Sequence, residues 1–445
     1  MGLFSSRSFS GGIHPPEHKE LTESFEIETC PAPDQVVIPV QQHIGAPSKP
    51  VVEKSDTVTI GDPVSESGGF VSVPAHATVS GTVKAVEPRP HPLGPKVLSV
   101  VINNDGENKW REGVEFDEAY VDLDNKEIIR RIQAAGLAGM GGATFPTHVK
   151  LSPPPDKKID TLILNGAECE PYLTSDHRLM LEQTEKVLRG MQILIKVLGA
   201  KTGAIGIENN KMDAVKVLRK KIAELNLPYK VYAMHVKYPQ GAEKQLIKTV
   251  VNRRVPAGGL PMDVGCVVQN VGTAAAVCDA VAYNRPLVDR VVTVTGDGVK
   301  SPKNLLVPIG TPFSHVFEQC GGLKQDAGKV IMGGPMMGLA QADVQAPVIK
   351  GTSGLLVLNE KQSHRKEEQT CISCAHCVDA CPMGLMPKML AQFVKNEMYD
   401  EAEKYNVLDC IECGSCAFVC PSNINLVHWI KFGKLKVMQK RKKAS

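Results

Sequence analysis

No run of roughly 18 apolar residues occurs anywhere in the sequence, which removes a membrane-spanning helix from its repertoire. The opening segment, MGLFSSRSFSGG, also lacks the apolar core that a secretory leader needs. Neither sign of charge dominates: 51 basic side chains against 48 acidic ones leave +3, which singles out no partner and gives no footing for nucleic acid. Met1-Gly2 with Ser6 fits the loose myristoylation pattern, too weak a signal to set against these absences. What remains is ordinary globular composition, 42% hydrophobic and 22% charged. At 445 residues it is too long for one core and divides into roughly three domains at about 150 residues each.

Cysteine, by contrast, is plentiful. Thirteen cysteines without a leader imply a reducing compartment, where thiols stay free to ligate metal. Eight of them fall in 371–421 as one motif given twice, C-x2-C-x2-C-x3-C-P: Cys371, Cys374, Cys377, Cys381 with Pro382, then Cys410, Cys413, Cys416, Cys420 with Pro421. In this spacing three thiolates wrap one [4Fe-4S] cube and the fourth reaches the other. Cys371, Cys374, Cys377 and Cys420 are therefore assigned to one cluster, and Cys410, Cys413, Cys416 and Cys381 to the second. Structural zinc needs only paired C-x2-C units. It leaves the third cysteine and the proline, each present twice, unexplained.

Residues 34–105 read as short strands punctuated by Pro and Gly (QVVIPV, DTVTIGDPV, ATVSGTVKAV, VLSVVI). The pattern is similar to a lipoyl- or biotinyl-type barrel-sandwich. Its hairpin tip, Pro74 to Thr78, lacks the lysine that would carry a prosthetic group, so a structural or docking module is expected. The preceding Gly11-Gly12-Ile13-His14-Pro15 is expected to pack on its own domain rather than wrap onto a partner.

From Asp124 a helix is expected with Ile128, Ile129, Ile132 and Ala135 on one face, ending at Gly136. The next stretch, GLAGMGGATFPTHVKL, brings Gly136, Gly139, Gly141 and Gly142 together, so backbone N–H groups can approach a phosphate or flat ring, with Lys150 to offset charge. Ordinary turns are the competing reading of such glycines. Apolar runs at 161–165, 204–207, 229–236 and 266–270 alternate with helical patterns at 176–198, 211–225, 241–253 and 272–283, implying a parallel sheet whose ligands bind beyond the carboxyl ends of its strands. Two loops fall at those ends: 165–171 (NGAECEP), with Ser175 expected to cap the following helix, and 270–273 (NVGT). The carboxylates of the first either bind ribose hydroxyls or form a solvated acidic loop.

Residues 290–358 return to short strands with a helix at 313–320, a compact α+β unit without visible chemistry, in which Met332, Met336 and Met337 are expected in core or turn packing. Residues 387–405 are helical in pattern. The last 15 residues carry seven basic side chains and no acidic one, either a solvated tail or one drawn to anionic lipid or an acidic partner.

Together these motifs resemble a known family. GLAGMGGATFPTHVK, LNGAECEP, YPQGAEKQLI and QNVGT are similar, in order, to the four nucleotide-binding segments of the flavin- and NADH-binding subunit of respiratory complex I, and 290–358 to the β-grasp SLBB domain that follows there. The N-terminal GGIHP with its β module, and the double-cluster domain in place of a single-cluster bundle, resemble more narrowly the RnfC family, a component of the bacterial Rnf electron-transport complex. The resemblance implies a multidomain α/β and α+β architecture: an N-terminal extension and barrel-sandwich-like module (1–115), a Rossmann-like FMN/NADH-binding domain (116–289), an SLBB domain (290–360), a helical 2×[4Fe-4S] ferredoxin-type domain (361–430) and a basic tail (431–445). It also implies that Gly136, Gly139, Gly141, Gly142, Lys150, Asn165, Tyr238, Gly241, Asn270 and Thr273 hold FMN. Phe145 would stack on a nicotinamide or adenine ring, and Glu168, Glu170 and Glu243 would lie near flavin or NADH hydroxyls. The sequence departs from the complex I pattern at Ala167, where that loop is acidic, and at Cys169, where it has Ser. Ala242 stands where it has Glu, and Ala138 and Met140 where it has Arg.

The implied activity is that of a peripheral NADH/ferredoxin oxidoreductase subunit on the cytoplasmic face of the bacterial inner membrane. Its partners would be NADH, the membrane and cluster-bearing subunits of the same complex and, indirectly, ferredoxin. Hydride transfer requires no obligatory protein acid or base, so no catalytic residue is assigned. Two rivals share the motifs: a cobalamin reductase of propanediol-utilisation compartments, and an electron carrier with a vestigial nucleotide site.

Overall fold

The computed structural model describes residues 7–364 and 366–444, so the Met1-Gly2-Ser6 pattern lies outside the described residues. At its centre is a four-stranded parallel sheet in the order Tyr229–Met234, Thr202–Glu208, Thr161–Gly166, Cys266–Asn270. Leu162, Ile163 and Leu164 are buried alike, because helices cover both faces and neither face needs polar residues. The chain steps outward for three strands and then returns beside the first. A topological switch point therefore lies between Thr161–Gly166 and Cys266–Asn270, where the loops part and leave a crevice. Asn165 and Asn270 are register partners across it.

The expected helix runs Asn125–Ala134, with Asp124 accepting from the Glu127 N–H as its cap and Ile128 and Ile132 buried. Burying those two side chains stabilises the domain by about 1.5–3 kcal/mol each. Helices Thr184–Leu198 and Val271–Ala282 cross closely at Gly190, where a Cβ would stand 1.8 Å from the Ala274 carbonyl oxygen. That closeness fixes the helix that begins at Asn270.

The β module has an antiparallel sheet of Gln35–Pro39, Val97–Asn104, Gly81–Arg89 and Thr57–Val58, with a small Lys49–Pro50/Ser65–Glu66 pair. Its hairpin tip is buried against the other domains. The buried Lys350 Nζ donates to the carbonyls of Pro74, at that tip, and Gly136, each at 2.7 Å. Thr78 Oγ1 donates to the Ile309 carbonyl at 2.6 Å.

The 290–360 region forms a mixed six-stranded sheet, but its edge strand is Ile27–Thr29 from the N-terminus, parallel to Lys303–Pro308. The residues before the β module therefore do not stay with it. Ile13 exchanges two backbone hydrogen bonds with Tyr238, and the Gly12 N–H donates to the Ala380 carbonyl, each at 2.9 Å. GGIHP thus packs within the chain, on the parallel-sheet and cysteine domains rather than on its own β module.

The basic tail is structured. A continuous helix, Leu426–Ala444, runs through the boundary expected at 431. Leu426, Ile430 and Val437 are buried, and Lys434 bonds Glu412 at 2.7 Å while Arg441 bonds Glu403 at 2.5 Å. The helical pattern at 387–405 is two helices, Pro387–Lys395 and Tyr399–Lys404.

Candidate functional site

The four motif segments meet at the switch point. The Met140 N–H donates to Thr273 Oγ1 at 2.9 Å, which ties the glycine-rich loop to the helix start. Asn270 caps that helix, accepting from the Gly272 N–H at 2.7 Å, and donates to Asp176 at 2.6 Å. A Cβ on Gly141 would stand 2.6 Å from Asn270 Nδ2, so only glycine lets the loop lie this close. Asn165 donates to the Gly241 carbonyl at 2.8 Å, and Lys150 Nζ bonds Glu243 at 2.5 Å and the Val268 carbonyl at 2.7 Å.

A flavin phosphate needs exposed backbone donors and a cation, and both are present. Gly141 and Gly142 are exposed, and a Cβ on Gly142 would have nothing within 4 Å. Lys150 stands at the end of the loop, so the residues present fit FMN. Phe145 is half-buried, and its carbonyl accepts from the Gly139 N–H at 2.9 Å, closing the loop. Gly136 faces the other way, with its carbonyl on Lys350 and its α-carbon against Pro74.

The carboxylates of the 165–171 loop are already engaged. Glu168 accepts from the Asp176 N–H at 2.7 Å and the His177 N–H at 3.2 Å. It therefore caps helix Ser175–Glu182, where Ser175 was expected to; Ser175 is the first helical residue and its hydroxyl lies 3.3 Å from Glu168. Glu168→Ala is expected to cost about 1–2 kcal/mol in urea denaturation, Ser175→Ala less than half as much. Glu170 accepts from the Met336 and Met337 N–H groups at 3.1 and 2.8 Å. Burial pushes its carboxyl up to about 7, against the pull of those donors.

Sequence reasoning missed two contributors, Lys19 and Asp176. Lys19, buried, sends Nζ to the carbonyls of Glu168, Glu170 and Leu173 at 3.0, 3.0 and 2.5 Å, holding a loop in which Glu168 and Tyr172 have φ of +46° and +69°. Left-handed backbone is disfavoured for such residues and persists only where surroundings impose it. Asp176, beside Asn270, has its carboxyl pushed up by burial and then by Glu168. Met336, expected in turn packing, packs with Cys413 and Tyr238, so the 333–338 turn borders the site.

Tyr238 joins the crevice to the cysteines. It is buried, and its hydroxyl donates to the Cys413 carbonyl at 2.8 Å, while Cys169 packs on the same cluster and accepts from the Gly241 N–H at 3.3 Å. Beyond it is a small hollow lined by Cys381, Cys410, Cys413 and Cys416 among apolar residues. One thiol comes from the first motif and three from the second. Burial pushes the Cys410 thiol up to about 11, and Cys413 and Cys381 add to it as like-charged neighbours. Cys377 is likewise raised, first by burial and then by Cys420 and Cys371. One thiol from the first motif beside three from the second is the donor set a [4Fe-4S] cube needs, and its iron charge would stabilise all four as thiolates.

Fold and site together define a multidomain electron-transfer protein, with a flavin-type crevice on a parallel sheet abutting paired four-cysteine sites. Four family models match consecutive parts of the chain: the RnfC barrel sandwich hybrid domain at 7–107, the Nuo51 FMN-binding domain at 132–279, the SLBB domain at 291–340 and the 4Fe-4S dicluster domain at 363–421. The chain is 48% identical over 438 residues to the C-subunit of the Na+-translocating ferredoxin:NAD+ oxidoreductase complex of Acetobacterium woodii, covering 98% of this chain and 99% of that one. It is 48% identical over 429 residues to the proton-translocating counterpart of Clostridium ljungdahlii (96% and 93% covered), and 41% identical over 442 residues to the C-subunit of the ion-translocating oxidoreductase complex of Rhodobacter capsulatus (98% and 85%). A NAD+-reducing [NiFe]-hydrogenase chain superposes with a TM-score of 0.49 at 19% identity over 73% of this chain and 63% of its own, too distant a likeness to carry functional weight. The chain belongs to the RnfC family of the ion-translocating ferredoxin:NAD+ oxidoreductases. Its cofactors are FMN and [4Fe-4S] clusters.

Proposed function

We propose that the chain is the peripheral electron-input or electron-output subunit of a membrane ion-translocating ferredoxin:NAD+ oxidoreductase, passing electrons between NAD(H), FMN and two [4Fe-4S] clusters. The observation that carries the reading is contact: through Tyr238 and Cys169 the nucleotide crevice and the four-thiol hollow share a wall. FMN, when bound, supplies the conversion between a two-electron hydride and single electrons. The exposed backbone at Gly141 and Gly142, with Lys150, would receive the phosphate. Asn165, Asn270 and Thr273 would shape the floor, Phe145 would stack on a nicotinamide or adenine ring, and Glu243, paired with Lys150, would lie near flavin or NADH hydroxyls. Glu168 and Glu170, engaged in capping and in the 333–338 turn, serve mainly to position the loop. Cys371, Cys374, Cys377 and Cys420 hold one cluster, and Cys381, Cys410, Cys413 and Cys416 the other.

Among the described residues no helix is long and apolar enough to cross a membrane. The chain would sit on the cytoplasmic face of the bacterial inner membrane through partner subunits and meet ferredoxin through them. The test is anaerobic addition of NADH to the FMN-loaded, cluster-replete chain, following the visible flavin band and the EPR of the clusters. Flavin bleaching accompanied by cluster signals is expected, and clusters reducible by dithionite without NADH-dependent bleaching would make it a carrier with a vestigial nucleotide site. Replacing Cys374 and Cys413 together is expected to abolish intercluster transfer and leave flavin bleaching intact.

A further inference from the structure

Two loops of the β module reach the edge of the nucleotide crevice. The Ile44 N–H donates to the Thr144 carbonyl at 3.2 Å, and His148 Nε2 donates to the Phe70 carbonyl at 3.0 Å. Both partners belong to the glycine-rich segment whose Gly141 and Gly142 are exposed. The two loops are also fixed to each other. The Ala46 N–H donates to the Val71 carbonyl at 3.0 Å, and Gly45, at φ +112°, lies so close that a Cβ would stand 2.1 Å from that oxygen. Buried His43 backs both, its ring nitrogens 3.1 and 3.2 Å from the Ile44 and Val73 carbonyls. Held in this way, the loops still leave two large apolar side chains in the open: Ile44, 51% exposed, and Phe70, 69% exposed. The Phe70 ring is braced edge-to-face by buried His148, with centroids 6.1 Å apart and planes at 82°. Apolar groups kept exposed on a fixed scaffold beside a ligand crevice mark a contact surface.

From this placement, and resting on the electron-transfer reading above, we infer that the β module supplies the seat for the adenine ring of NAD(H), with Phe70 as its stacking face and Ile44 as its apolar flank. Hydride exchange uses the nicotinamide end of the dinucleotide, so the adenosine end contributes by binding alone. Adenine presents flat, uncharged faces, and a rigid aromatic or aliphatic surface suits them. The carboxylates of the 165–171 loop are engaged elsewhere, Glu168 on a helix start and Glu170 on the 333–338 turn. Phe145 falls between the two anchoring residues, Thr144 and His148, so each domain brings an aromatic residue to this stretch. Both loops of the seat are bonded to the segment that edges the crevice. That continuity with the nucleotide site selects the dinucleotide as occupant over a partner subunit or a second copy of the chain. A module with no lysine to carry a prosthetic group thus acquires a part in choosing the substrate.

The test compares NADH with reduced nicotinamide mononucleotide, which carries the same hydride and lacks the adenosine phosphate half. The full chain, cluster-replete and FMN-loaded, is mixed anaerobically with each reductant while the visible flavin band is followed; iron content and flavin occupancy control for folding. Phe70→Ala is expected to raise the NADH concentration for half-maximal bleaching rate about tenfold, and that for the mononucleotide by less than about twofold. Ile44→Ser is expected to act in the same direction and more weakly, and Phe70→Tyr, which keeps the ring, to stay near wild type. Binding is read separately by calorimetric titration of the oxidised protein with ADP-ribose, whose affinity should fall about tenfold in Phe70→Ala and hold in Phe70→Tyr. Equal loss with both reductants would assign Phe70 to shaping the glycine-rich loop and overturn the seat. So would unchanged NADH and ADP-ribose dependence, whether the variants shed other subunits from the purified complex, as a docking surface would, or change nothing. Wild type whose flavin neither reductant bleaches would instead sink the functional reading, and the ADP-ribose titration would still decide the seat.

Discussion

Gly190→Ala is expected to lower the denaturation free energy by about 3 kcal/mol or more, although the residue lies inside the helix Thr184–Leu198. Helix propensity alone predicts the opposite, since Ala is better than Gly by about 1 kcal/mol in a helix interior. Packing decides the sign. The new Cβ would be 1.8 Å from the Ala274 carbonyl oxygen and 2.5 Å from its carbon, both backbone atoms that cannot rotate aside. Relief requires the two helices to part, and overpacking of a well-packed core costs about 1–3 kcal/mol, occasionally more. The displaced helix is the one that begins at Asn270 and Thr273, so FMN affinity should fall with stability. Urea denaturation paired with flavin titration checks both. A variant as stable as wild type would show that the crossing has slack.

Lys350→Met is expected to change how stability depends on pH. Lys350 is buried, and burial pushes its ammonium down to about 7 from 10.5. Between those values the unfolded chain holds a proton on this side chain that the folded chain does not. Stability therefore rises with pH across that window, by up to about 1.4 kcal/mol per pH unit, and this contribution is flat below and above it. Methionine removes the titration, so the difference in denaturation free energy between wild type and variant should grow from pH 7 to 10.5. The comparison must be made as a difference, because buried Lys19 titrates in the same sense while the raised thiols and tyrosines act in the opposite one. The variant also strands the carbonyls of Pro74 and Gly136, at about 1–3 kcal/mol each where no water reaches them. His76 nearby, pushed down to about 3 first by burial and then by Lys350 and Arg111, stays neutral throughout and does not confound the reading. A pH-independent difference would place the Lys350 ammonium in contact with solvent.

The sheet and its helices were legible because each buried strand is a short apolar run and each helix repeats its apolar positions at the right period. That the Asn165 and Asn270 loops lie together followed from the rule that ligands of a parallel sheet bind beyond the carboxyl ends of its strands. Less legible were residues whose role depends on distant chain. Glu170 acts on residues 336 and 337, and nothing in its own loop shows that. Lys19 and Lys350 give no local signal because lysine is ordinarily a surface residue, and only the carbonyls gathered around each make its burial tolerable. In the C-terminal segment the run of charges at 440–443 dominates the pattern. The apolar spacing of Leu426, Ile430, Gly433 and Val437 is helical, however, and was there to be read.

The arm at residues 9–29 precedes every part it docks on, and its docking sites are spread from 168 to 382. Ile13 needs Tyr238, the Ile27–Thr29 strand needs Lys303–Pro308, and Gly11 and Gly12 need the turn at 380–382. Lys19 can meet the 168–173 loop early, but the arm is fully paired only once residues 380–382 are in place, and contacts of such sequence separation form slowly. The same turn carries Cys381, so closing the arm is tied to completing the enclosed cysteine site. A chain that has not acquired that site would keep its first residues open to a protease, a built-in mark of immaturity.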